Sequence, residues 1–201
     1  MSTYKIVDLK CPGCGEPSST SEQTCKYCGR QVIITSFNSV YEMLPQDVNK
    51  YVNSYKEVLR DHPEESSIHT SIGMCYLRLR LHEKALESFE KATQYNFDNS
   101  ETYFYAAVCL LKGKKAYLAP KAIIEKAQEY LNAALTIENR GIYHYFLAYI
   151  KYDFYERKFL RITPNYESEL KNACVNNVTK EDIRKLFDLL NVDIPNVLNV
   201  E

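Results

Sequence analysis

Between Ser66 and Asn99 the chain reads SSIHTSIGMCYLRLRLHEKALESFEKATQYNFDN, and its small and aromatic residues leave few ways for it to fold. Ile72 and Gly73 are followed three residues on by Tyr76, and Ala85, Phe89 and Ala92 come next at intervals of four and three. Residues so spaced share one face of a helix. Gly73, Ala85 and Ala92 are small enough to let two antiparallel helices approach closely, while Tyr76 and Phe89 fill the space between them. The stretch predicts a tight helical hairpin.

This pattern resembles the tetratricopeptide repeat, whose period is about 34 residues and whose signature runs W-x2-L-G-x2-Y, then A-x3-F, then P. Here His69 stands for the Trp, Ile72 for the Leu and Phe97 for the closing Pro. Weaker copies flank it. Tyr51, Tyr55 and Val58 repeat the second-helix spacing upstream, with Pro63 in the closing position, and Ala127, Leu131 and Ala134 repeat it downstream. The resemblance implies a mostly α fold, a solenoid of antiparallel helical hairpins, and a binding scaffold rather than an enzyme.

A different chemistry precedes the repeats. Cys11-Pro-Gly-Cys14-Gly and Cys25-Lys-Tyr-Cys28-Gly are two CxxC turns, bounded by strand-like segments at Tyr4–Leu9 and Val32–Thr35. A CxxC turn folds both sulfurs toward one point, and two such turns supply a tetrahedral set of four thiolates. The arrangement resembles a small β zinc ribbon. It implies one structural zinc ion on Cys11, Cys14, Cys25 and Cys28, because no His or carboxylate offers an alternative set. Cys75 and Cys109 lie two residues beyond Gly73 and Ala107 in first helices and read as packing residues.

Further along, Pro45 opens a helix whose own first-helix partner is only partly supplied by Phe37–Leu44. Asn99 caps the helix from Ser100, Gly113 stops it, and Lys114–Ala119 lengthens the repeat by roughly eight residues. Gly141 ends the following helix, and Ile142–Arg161 reads as one long aromatic helix. Thr163-Pro164 precedes another, and Thr179-x-x-Asp182 opens a last one bearing Ile183, Leu186, Phe187 and Leu190 on one face. The expected division is residues 1–36 as ribbon, 37–162 as repeat array, and 163–201 as capping helices and an apolar tail.

In tetratricopeptide arrays the first helices line a concave groove. The resemblance places Thr70, Met74 and Leu77, then Phe104, Val108 and Leu111, then Tyr143, Phe146 and Ile150 in it as partner-binding residues. The chaperone-tail-binding members clamp a carboxylate there with Lys, Asn and Arg, which Thr70, Met74 and Phe104 do not supply. An apolar groove suits a partner's helix or extended segment, unless the aromatic helix or the C-terminal tail fills it.

Net charge is −1, so there is no global pull toward nucleic acid or an anionic membrane. No apolar run approaches a membrane span and MSTYKIVDLKC lacks a signal peptide's apolar core, which predicts a cytoplasmic protein. His62, His69, His82 and His144 sit in no catalytic motif and no phosphate-binding Gly loop exists, so no catalytic residue is expected. The expected role is a protein-binding adaptor. The alternative is a nucleic-acid-associated factor using the ribbon and the basic Lys112–Lys121 insertion, although residues 1–35 balance Lys5, Lys10, Lys26 and Arg30 against Asp8, Glu16 and Glu22.

Overall fold

The computed structural model describes residues 6–199, which form two compact units divided between Phe97 and Asp98. The fold is mostly helical, with a small sheet at its N-terminal end.

In the first unit, strand β1 (Asp8–Lys10) pairs antiparallel with β2 (Pro17–Ser19), with Leu9 opposite Ser18. The strand expected over Tyr4–Leu9 is thus shorter and shifted, and Tyr4 lies outside the described residues. The run Val32–Thr35 is not a strand; only an isolated bridge joins Thr24 to Gln31. The Val32 amide donates to the Gln23 carbonyl at 3.0 Å, and side chains meet other backbone groups of the segment. The Tyr51 hydroxyl donates to the Gln31 carbonyl at 2.8 Å, the Tyr55 hydroxyl donates to Val32 at 2.9 Å and accepts from the Ile34 amide at 3.1 Å, and Ser71 Oγ donates to the Ile34 carbonyl at 2.8 Å. Val32, Ile33 and Ile34 can therefore be buried without a β ladder.

Those tyrosines belong to helix α2 (Pro45–Asp61), which follows the single turn α1 (Asn38–Tyr41). Pro45 sits in the first turn of α2, and Val48, Tyr51, Val52, Tyr55 and Val58 form its buried stripe. Helices α3 (Ser66–Arg78) and α4 (His82–Tyr95) form the predicted hairpin. A β-carbon on Gly73 would lie 2.7 Å from the Phe89 ring, so glycine is what permits their approach. His69 keeps the aromatic role of the Trp it replaces: it stacks on Tyr95 at 6.0 Å, with Nε2 2.8 Å from the Pro63 carbonyl oxygen.

The second unit holds α5 (Ser100–Leu110), α6 (Lys121–Ile137), α7 (Gly141–Ile150), α8 (Tyr166–Val175) and α9 (Lys180–Leu190). Asn99 caps α5 by accepting the Thr102 amide, and Gly113, at φ +70°, follows its end. The Lys114–Ala119 insertion contains a 3-10 turn, Ala116–Leu118, with Ala116 buried.

Two expectations change here. Gly141 does not end α6, which stops at Ile137; it begins α7, where an added β-carbon would meet the Ala173 carbonyl oxygen and the Val178 amide at 2.6 Å. Glycine serves close packing of the α8 end rather than termination. The long helix over Ile142–Arg161 is also interrupted. After Ile150 the chain widens into a π-helical turn, Lys151–Tyr155, then tightens into a 3-10 turn, Glu156–Lys158, ending at Phe159 with φ +56°. The widened turn contains buried Asp153, whose carboxylate accepts the Tyr117 amide at 2.7 Å and pairs with Arg157.

The capping box at α9 forms as predicted, Thr179 Oγ1 accepting the Asp182 amide at 3.1 Å. Beyond it the chain makes a 3-10 turn, Asn196–Leu198, with Leu198 buried.

Candidate functional site

The two CxxC turns are near copies of each other. In the first, the Cys11 amide donates to the Glu16 carbonyl at 2.8 Å and the Gly15 amide to the Cys11 carbonyl at 2.8 Å; in the second, Cys25 donates to Arg30 at 2.8 Å and Gly29 to Cys25 at 2.9 Å. Gly15 and Gly29 hold φ of +83° and +69°, which an L side chain adopts at a cost. Equal bond patterns curl each backbone under its sulfurs.

All four thiol sulfurs lie within 4.8 Å of one another, with Cys11 to Cys28 and Cys14 to Cys25 both at 3.7 Å. A tetrahedral zinc site with bonds of about 2.3 Å has sulfur–sulfur edges of about 3.8 Å, whereas a disulfide requires about 2.05 Å. The spacing fits four ligands around one metal ion and not a pair of disulfides. The short pairs run between turns rather than within them, so each knuckle depends on the other. Amide hydrogens of Cys28 and Tyr27 hold the Cys25 thiol down to about 7, toward the thiolate a metal needs. Burial pushes Cys11 up, and the Cys14 thiol stands at about 12, so without a cation the cluster does not hold four thiolates at once. Among the described residues this is the one group of three or more His, Cys, Asp or Glu placed to hold a metal ion.

The other cysteines behave differently. Cys75 and Cys109 are buried, and burial pushes the Cys75 thiol up to about 12 and Cys109 up as well.

The nine residues projected onto a groove are all buried, none more than 6% exposed. Thr70, Met74 and Leu77 lie on α3, Phe104 and Val108 on α5 with Leu111 just beyond it, and Tyr143, Phe146 and Ile150 on α7. Within the second unit Phe104 gathers two of them, with Tyr143 at 5.2 Å and Phe146 at 5.9 Å between ring centroids.

The tetratricopeptide repeat profile matches residues 66–99. That stretch is a tetratricopeptide repeat. A solved structure, MamA AMB-1 P212121, is 17% identical, covers 72% of this chain and 82% of its own, and superposes with a TM-score of 0.49. A search of curated proteins returns no match.

Polar contacts to α8 mark the phase of α7. In α3, His69 and Tyr76 stand seven residues apart on the side of the repeat's second helix. The same separation joins His144 of α7 and Lys151, the first residue of the π-helical turn that follows it, and both reach Glu169 of α8, His144 Nδ1 at 2.8 Å and Lys151 Nζ at 2.6 Å. The counterparts of Thr70 and Met74 are then Tyr145 and Tyr149, two residues that sequence reasoning missed. Both are covered. Phe187 of α9 packs edge-on against Tyr145 at 6.3 Å and Tyr149 at 5.0 Å, and the Tyr145 hydroxyl donates to the Leu198 carbonyl at 2.8 Å. The polar pair at seven-residue spacing within an otherwise aromatic helix was the signal that could have found them.

Proposed function

We propose that this chain is a non-enzymatic cytoplasmic adaptor that binds a protein or peptide partner through its tetratricopeptide-like helices, with a ribbon held by one structural zinc ion. The observation that carries the reading is the repeat at residues 66–99, built on the close α3–α4 approach at Gly73. Repeats of this kind serve as binding surfaces. The zinc assignment rests on four cysteine sulfurs at tetrahedral spacing. Four thiolates complete the coordination and leave no open position for substrate, which is the signature of a structural site. A reducing compartment belongs to this reading, because oxidised cysteines do not ligate.

The partner face in this proposal is the first-helix side: Thr70, Met74 and Leu77 in one unit, and Phe104, Val108 and Leu111 with Tyr145 and Tyr149 in the other, the last two replacing the projected Tyr143, Phe146 and Ile150. In the second unit α9 and the turn ending at Leu198 lie over α7 and act as its resident occupant. A partner helix reaches that face by displacing α9, whose Ile183, Leu186, Phe187 and Leu190 show the spacing such a helix must carry.

The test is capture from native lysate by zinc-loaded full-length chain, wild type against Phe187→Ala. A protein retained by wild type and enriched by the variant is the expected result. Recovery of no protein by either form counts against the adaptor reading.

A further inference from the structure

The basic insertion after α5 does not stand alone, and the structure adds a second basic run to it. Residues 111–124 contain Lys112, Lys114, Lys115 and Lys121 with no acid; residues 154–166 contain Arg157, Lys158 and Arg161 with one acid, Glu156. These runs meet at Tyr117. Its ring carries the Arg157 guanidinium at 4.6 Å and Lys158 Nζ at 4.8 Å, while its amide is held by Asp153. Lys115 and Arg157 line one cleft of about 430 Å³. Asp153 offsets Arg157, and Asp193 lies in the same cleft as Lys115. Lys114 shares a second cleft with Asp188 and Asp193, whereas Lys158 and Arg161 enter none of the ion pairs among the described residues.

Large apolar side chains stand out among these cations. Phe159 is 96% exposed, Leu118 68% and Leu160 46%. Phe159 is the more telling because its backbone is left-handed at φ +56°, a conformation that favours Gly or Asn. It is not loose: the Phe159 amide donates to Glu156 at 2.9 Å and the Leu160 amide to Tyr155 at 2.9 Å. A residue disfavoured by its backbone and by water thus stands exposed on a hydrogen-bonded turn.

We infer that this surface of the second unit docks on an anionic lipid bilayer, with Phe159, Leu160 and Leu118 entering the headgroup boundary and Lys114, Lys115, Lys158 and Arg161 meeting lipid phosphates and carboxylates. Apolar tips ringed by basic side chains are the chemistry that peripheral docking uses. A single nucleic-acid strand is the weaker fit. Stacking along a strand needs successive open aromatic faces, yet Phe159 supplies one ring, Tyr117 is already covered by Arg157 and Lys158, and Leu118 and Leu160 offer none. The claim concerns surface docking: no helix among the described residues is long and apolar enough to cross a membrane.

The chain has no tryptophan, so Phe159→Trp supplies a single fluorophore at the proposed contact. Full-length zinc-loaded protein is mixed with vesicles of phosphatidylcholine alone or of phosphatidylcholine with phosphatidylserine. The expected result is a blue shift and co-sedimentation only with phosphatidylserine, weakening as salt rises. Phe159→Asn, which suits the left-handed backbone, lowers partitioning by about tenfold or more. Lys114→Glu with Lys115→Glu abolishes it. Val175→Ser, which removes an exposed apolar side chain at the end of α8, leaves it unchanged. Absent binding, equal binding to neutral vesicles, binding that survives Phe159→Asn, or preference for an oligonucleotide or acidic peptide over vesicles overturns the proposal.

Discussion

The Tyr55 hydroxyl stands in for a β-strand by accepting the amide hydrogen of Ile34 at 3.1 Å and returning its own proton to the Val32 carbonyl at 2.9 Å. Burial raises the Tyr55 pKa well above its ordinary value, so the donor persists at any pH the fold survives. Tyrosines at 51 and 55 occupy positions where the clear repeat has Ala85 and Phe89, and the reason is what they face. Besides packing on α3, α2 turns these hydroxyls toward an extended segment, Gln31 to Ile34, whose backbone groups they meet. Tyr55→Phe leaves one buried amide and one buried carbonyl without partners, each worth about 1–3 kcal/mol. Urea unfolding at matched metal content is expected to register a loss of about 2 kcal/mol or more.

Gly73 and Phe89 make the second prediction. With the ring 2.7 Å from where a β-carbon would stand, Gly73→Ala forces α3 and α4 apart, an overpacking penalty of about 1–3 kcal/mol. Phe89→Leu shortens the side chain at that contact. In a double-mutant cycle the combined change is expected to cost less than the sum of the two single changes. Strict additivity means the contact does not limit helix approach.

Metal removal separates the first unit from the second. Strands of three residues and a few buried side chains give the ribbon little core, so ligation supplies much of its folding free energy, about 10 kcal/mol or more for structural zinc sites. Chelation, or Cys14→Ser, is expected to release one metal per chain and to raise amide exchange over residues 7–34. Helices α5 to α8 are expected to keep their protection. A metal content of zero in protein prepared under reducing conditions contradicts the assignment.

The legible parts were those whose chemistry is local in sequence. Paired CxxC turns predict their own sulfur cluster, and Gly73 with Phe89 predicts a hairpin, because a few residues at fixed spacing carry the whole requirement. Val32–Thr35 misled because a β-branched run looks like a strand wherever it lies. Its actual partners are hydroxyls on Tyr51, Tyr55 and Ser71, which no pattern within the run itself could reveal. The phase of α7 was obscured by its own hydrophobicity: with Tyr143, Tyr145, Phe146 and Tyr149 all buried, only His144 and the following Lys151 interrupt the aromatic run. Only Glu169, supplied by α8, distinguishes the side on which His144 and Lys151 lie.

The last prediction concerns acid. His69 lies under Tyr95 with its Nε2 on the Pro63 carbonyl, and burial lowers its pKa below the ordinary 6.5, the Pro63 contact opposing that shift only in part. In the unfolded chain the same ring titrates near 6.5. Between the lowered folded value and 6.5 the unfolded state therefore binds more protons, so stability rises with pH across that window and is flat above it. Acidifying from pH 7 weakens the α3–α4 repeat through this ring until the folded value is passed. His69→Gln has no titratable ring and is expected to remove that slope while lowering stability at neutral pH through loss of the Tyr95 stack. Unfolding free energies measured against pH for both proteins and then subtracted isolate the effect from the carboxylates, which titrate lower. If the difference does not change between pH 7 and pH 5, the buried position of His69 does not control its protonation.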